Sequence, residues 1–177
     1  MDRRIILTLA SALALLSQIP SKACELAQIT VKPDTAENGE LYSGQLQDVR
    51  VTFHNYRTKG AVTVFPEPPL VITSLKSGNH CEADGGVWAR NGVYISTDGK
   101  VLVTTEFSGS YDGLVFRDVR TCKKIDELDV SGTHWSIHGS QITWQPISGT
   151  PQTVRLDEAC RPRAVPTASS SPSPSHS

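Results

Sequence analysis

Few side chains in this sequence are equipped for chemistry, and their spacing argues against most of it. Ser110 and Asp112 stand two apart in Gly109-Ser110-Tyr111-Asp112-Gly113, and with a distant histidine they would make up a hydrolase triad. The serine is one place too early for a Gly-x-Ser-x-Gly elbow, and such sets arise by chance in any chain of this composition. His134 and His138 are spaced i, i+4, which on a helix would put both imidazoles on one face. They flank Trp135-Ser136-Ile137, a strand-like run in which that spacing separates them by about 13 Å. No Glu follows His134, so the metalloprotease pattern is missing too. His54 and His80 are isolated and read as structural or surface residues. Asp126, Glu127 and Asp129 cluster, as do Asp157 and Glu158, but on strands alternate members face solvent, where charge is at home. Trp88, Trp135 and Trp144 could stack on a sugar; core positions are the better reading for all three. Neither a cofactor nor a metal site is expected.

The elements that carry these residues are strands. Val49 to His54 alternates apolar and polar with period two, as a half-buried strand does. Ala61 to Phe65 and Leu70 to Thr73 are short β-branched runs separated by Pro66-Glu67-Pro68-Pro69, which cannot be a central strand. Val87 to Arg90 and Val93 to Ser96 flank Asn91-Gly92, the dipeptide of a type I′ hairpin, which predicts a turn there. Thr97 to Lys100 turns the chain into Val101 to Phe107, and Leu114 to Val119 and Ile125 to Val130 follow. Trp135 to His138 pairs with Gln141 to Gln145, and Gln152 to Leu156 is a possible last strand. No helical period is visible.

Val93 to Val130 is similar to one blade of a β-propeller, through its Ser-x-Asp-Gly-Lys turn and its Phe-x-Asp-x-x-Thr-x-Lys turn. Blades run to about 40 residues, so a closed propeller needs more chain than is available. The expected fold is all-β: an antiparallel meander of packed sheets, a pair of them, with propeller-blade-like hairpins but not a complete propeller.

Arg3 and Arg4, the 12-residue apolar run Ile5 to Leu16 and Ser21-Lys22-Ala23 compose a cleavable signal peptide, residues 1–23. The run is shorter than the roughly 20 residues of a membrane span, so no stable membrane anchor is expected. Cleavage would place Cys24 first, the position of a lipidated cysteine, but Ser21 and Lys22 are not the small and aliphatic residues that precede one. One β domain is expected over 24–161. The Pro/Ser-rich stretch 162–177 reads as a disordered tail, having almost nothing to bury.

The mature part holds 14 basic against 17 acidic residues, a net charge of about −3. That argues against a nucleic-acid partner, which calls for a basic patch. All four cysteines lie there, and in an exported chain an even number favours two disulfides, which removes them as nucleophiles or zinc ligands. Cys24 and Cys160 bracket the folded region; pairing them leaves Cys81 with Cys122. This connectivity is favoured, with two others open.

What remains is Phe107 to Gly113, read as a connection longer than a tight hairpin needs. Ser108, Gly109, Ser110, Tyr111 and Asp112 could reach into a partner: glycine allows close approach, tyrosine anchors and the hydroxyls donate and accept hydrogen bonds. Exported, all-β, disulfide-bearing and without a catalytic set, the chain resembles the periplasmic immunity proteins that neutralise peptidoglycan amidase effectors of type VI secretion. The resemblance spans residues 24–160 and rests on layout. It implies a periplasmic, non-enzymatic protein whose partner is a secreted Cys-His amidase, with Ser108, Ser110, Tyr111 and Asp112 entering the active-site cleft. A periplasmic lysozyme-type inhibitor, or a glycan- or wall-binding module using exposed tryptophans, stays open beside it.

Overall fold

The computed structural model of the chain describes residues 24–35, 39–56, 62–66 and 69–164. The signal peptide, Ala61 and the tail beyond Ala164 lie outside them. In chain order the strands are β1 (Leu26–Gln28), β2 (Lys32–Pro33), β3 (Leu41–Leu46), β4 (Val49–His54) and β5 (Val64–Phe65). Then come β6 (Leu70–Ser74), β7 (His80–Ala83), β8 (Val87–Ser96), β9 (Val101–Ser108) and β10 (Tyr111–Asp118). The last are β11 (Lys124–Asp129), β12 (Thr133–His138), β13 (Gln141–Pro146), β14 (Gln152–Leu156) and β15 (Pro162–Ala164).

They form three antiparallel sheets rather than the expected pair. The first has the order β2-β3-β4-β6-β7, the middle β1-β8-β9-β10-β11 with β5 also on β8, and the last β12-β13-β14-β15. The middle sheet is covered on both faces. Trp88, Val93, Ile95 and Leu102 join one core with Val51, Phe53 and Ile72 of the first sheet. Val103, Leu114 and Phe116 join a second core with Ile142, Val154 and Leu156 of the last. This explains why Val101 to Glu106 is buried at every position whereas Val49 to His54 alternates buried and not: a strand covered on both faces loses its polar side. The three sheets stack face to face like consecutive blades, with no fourth among the described residues.

Asn91-Gly92 is not a hairpin turn. β8 runs through it with a bulge, so that four residues, 89–92, pass opposite Thr105, between the pairs Trp88–Glu106 and Val93–Thr104. The turn is outcompeted because both halves of β8 have other partners: β5 pairs with Trp88 and Ala89, and β1 with Tyr94 to Ser96. Within the bulge Arg90 is held by the carbonyls of Val31 (2.9 Å) and Val62 (3.2 Å), and Gly92 is required because a Cβ there would collide with Thr105. The first three strands and β7 had no clear period in the sequence. β3 carries Gly44 in mid-strand, where the close approach of Ile29 and the Thr30 carbonyl leaves no room for a side chain. At the other terminus β15 pairs with β14 to Ala164, three residues past the boundary read from sequence.

The disulfides are Cys24–Cys160 and Cys81–Cys122, the favoured pairing. Cys81 lies on β7 and Cys122 in the β10–β11 turn, so that bridge ties the first sheet to the middle one. Cys24 precedes β1 and Cys160 follows β14, so the other ties the middle sheet to the last. Each seam between sheets has one bridge.

Candidate functional site

Ser108 to Asp112 is not a long loop. Ser108 pairs with Tyr111 and Phe107 with Asp112, leaving Gly109-Ser110 as a two-residue hairpin turn. Gly109 has φ +62° and Ser110 is not left-handed, the glycine-first pattern of a type II′ turn, whose twist suits a right-twisted ladder. The predicted loop is therefore a stiff tip. The ladder runs uninterrupted from Val101–Asp118 to Ser108–Tyr111, and nothing loosens it before the turn.

Ser108, Gly109 and Ser110 are exposed; Tyr111 and Asp112 are half-buried. Tyr111 does not project. Its ring lies across Gly113, where any Cβ would overlap it, and its hydroxyl is enclosed. Burial, then the nearby Glu127 carboxylate, pushes its pKa up to about 12. Asp112 is pinned through its backbone: its N–H donates to the Ser131 hydroxyl (2.8 Å) and its carbonyl accepts from Val130 N–H (2.9 Å). Asp129 beside it is held below the usual carboxylate range by the side-chain and backbone hydrogen bonds of Ser131.

The stem is braced from within. Glu106 on β9 and Arg117 on β10 form a buried ion pair (2.9 Å), a cost unless every polar atom is satisfied. Here most are: Thr104 donates to Glu106 (2.7 Å), and Arg117 also donates to the carbonyls of Asp84 (3.0 Å) and Cys122 (3.4 Å). The same guanidinium thus positions the 84–86 connection. Gly86, with Val64, Val87, Phe107, Ser108 and Gly109, lines a groove of about 570 Å³ beside the tip.

The other candidates are not drawn together. His134 and His138 lie near opposite ends of β12, both exposed, and no group of three metal-ligating side chains occurs among the described residues. Asp157 belongs to the turn that carries Cys160. Trp88 is fully buried, while Trp135 and Trp144 pair across β12–β13 and pack on the second core, so the glycan reading loses its exposed platform. Ser131, Glu106 and Arg117 were not singled out in the sequence. Arg117 had a signal, a charge in the middle of an apolar strand run, whereas Ser131 is an ordinary turn serine.

With that geometry in place, comparison with known proteins gives a consistent result. The family model described as "Immune protein Tsi1" matches residues 24–153. The chain belongs to the Tsi1 immune-protein family. It is 37% identical over 116 residues to the "Immune protein Tsi1" of Pseudomonas aeruginosa, covering 64% of this chain and 67% of that protein. The family match takes in the first two sheets, the hairpin tip and most of the third sheet. Membership makes the chain an immunity protein, an inhibitor rather than an enzyme, as the absence of a catalytic set in the sequence led one to expect. An immunity protein acts on a protein partner, and the resemblance to the type VI immunity proteins pointed to the same class.

Proposed function

We propose that the chain is exported to the periplasm, binds a peptidoglycan amidase effector of type VI secretion, and blocks its active site with the β9–β10 tip. The observation that carries this is a stiff, narrow, exposed hairpin end with two serine hydroxyls on a member of an immune-protein family. Ser108, Gly109 and Ser110 are slim enough to enter a substrate cleft. A serine hydroxyl can both donate and accept, so it suits a catalytic imidazole in either protonation state. Asp112 would sit at the rim, and Tyr111 would support the tip from beneath. Inhibition of this kind is steric and non-covalent. Because the turn is already formed, little ordering entropy opposes binding.

Residues 24–177 mixed with a purified Cys-His peptidoglycan amidase effector of type VI secretion should form a one-to-one complex and abolish its cleavage of peptidoglycan peptides. Lysozyme mixed with the same protein should hydrolyse glycan chains undisturbed. Ser108→Glu with Ser110→Glu should weaken the complex by about 2 kcal/mol or more, the scale of an interface hot spot, without lowering the melting temperature. Inhibition of lysozyme but not of the amidase would transfer the protein to the other inhibitor class.

A further inference from the structure

Five large apolar side chains are exposed among the described residues: Leu41 (38%), Tyr56 (67%), Val64 (38%), Leu75 (41%) and Ile147 (89%). Scattered singly such residues need no explanation, but gathered on one surface they mark a contact. Four of these five lie at the end of the molecule that carries the hairpin tip. β4 runs toward that end and leaves the first sheet at His54, which pairs with Leu41 and stacks on Tyr56. Val64 pairs with Ala89, near the start of β8. On the other side of the tip, Ser131 meets Asp112, and Thr133, two residues on, pairs with Pro146, immediately before Ile147. Leu75 alone is remote, bonded through its N–H to Asp48.

The placement follows from the topology. Tyr56 lies between β4 and β6, Gly109-Ser110 between β9 and β10, and Ile147 between β13 and β14. Setting aside β1, β2 and β5, each falls after the second strand of a four-strand meander (β3-β4-β6-β7, β8-β9-β10-β11 and β12-β13-β14-β15), so stacking the sheets brings these three positions to one end. A two-residue turn is far too small for a stable complex, which buries about 800 Å² on each partner. The surface flanking the tip must therefore be covered too, and it carries these four exposed apolar side chains.

We propose that this end docks as one face onto the effector that receives the tip. Tyr56 on the first sheet and Ile147 on the last are apolar anchors on either side, and the groove lined by Val64, Val87 and Phe107 takes an apolar side chain of the effector. This rests on the immunity reading above, and the test separates the two. Tyr56→Asp, Ile147→Asp, Leu75→Asp and Ser110→Glu are titrated by calorimetry against the amidase effector that the wild-type protein inhibits, with sedimentation of each free variant. Thermal melts of the four confirm that they fold. Tyr56→Asp and Ile147→Asp should each weaken binding roughly ten-fold or more, Leu75→Asp less than about two-fold. If Ser110→Glu weakens binding and the two anchor variants do not, the extended face is wrong and the tip contact stands. If none of the four matters, tip and face both fall. If the free protein dimerises and Ile147→Asp dissociates it with unchanged amidase affinity, the face belongs to a second copy of this chain and the proposal is overturned.

Discussion

The two ends of the middle sheet are built from the same strands and finished in opposite ways. At one end the turns are locked to their neighbours. The Ser96 hydroxyl accepts from the N–H groups of Lys100 and Val101, Gln47 donates to the Thr97 carbonyl, and Val119 N–H reaches Lys100 O. Both disulfides are also there, since Cys122 and Cys160 sit in the turns after β10 and β14. At the other end β9 and β10 close in two exposed residues flanked by exposed apolar side chains, and the bracing lies inside the stem. Covalent closure at one end leaves the opposite end free to present its surface. A stack of three sheets that does not close on itself needs such a clamp, because each seam depends on its own core.

The comparison breaks most sharply if the clamp is cut. Replacing Cys24 and Cys160 by serine opens a link spanning 136 residues, and replacing Cys81 and Cys122 one spanning 41. By the chain-entropy estimate the losses are about 5 and about 4 kcal/mol, measurable by urea unfolding. Molecules that remain folded should bind the effector as wild type does, because the bridges lie at the far end. Next in size is the brace. Arg117→Met strands the Glu106 carboxylate in the core and should cost about 3–5 kcal/mol, while the double change Glu106→Leu/Arg117→Met recovers most of it. A double variant no better than the single would mean that the pair is not the brace.

Gly109→Ala is a smaller test, confined to the presenting end. The new Cβ would meet nothing within 4 Å, so the loss is the backbone cost of holding an L-residue at positive φ, about 1–3 kcal/mol, again by urea unfolding. pH gives the smallest effects. Tyr111 ordinarily titrates at 10.0 and here at about 12, so the folded protein favours the neutral phenol. That advantage is complete below pH 10 and is lost as pH rises from 10 to about 12, and Tyr111→Phe should flatten this part of the profile. At the clamped end burial acts to raise Asp98 and Asp157. It is outweighed at Asp98 by Ser96 and Lys100, and at Asp157 by Arg161 and Arg163, leaving both below their ordinary 3.8. Their contribution is present above pH 3.8 and lost as pH falls through the depressed values, which Asp98→Asn should show as a weaker acid limb.

The middle sheet was the most legible part of the sequence, because Asp98-Gly99 and the Asp118 to Lys123 turn punctuate long β-branched runs. The cysteine pairing was legible too, from position alone. Asn91-Gly92 misled because turn propensity is local, while the partners that hold β8 straight, β1 and β5, come from elsewhere in the chain. The same limit hid β3, whose Gly44 is explained only by Ile29 and Thr30 against it. Of the site, the residues of the tip were named but their shape was not: the ladder that makes Gly109-Ser110 a tight turn depends on which residue faces which. Ile147 gave no periodic signal, and only the stacking of three sheets places it beside the tip.

Hydrogen exchange of the free protein and of its complex with the amidase tests most directly which end binds. The account expects slowed exchange at the amides of residues 108–112 and around Tyr56 and Ile147, with residues 97–100 and 119–123 unchanged. Protection at 97–100 and 119–123, with residues 108–112 exchanging as in the free protein, would contradict it.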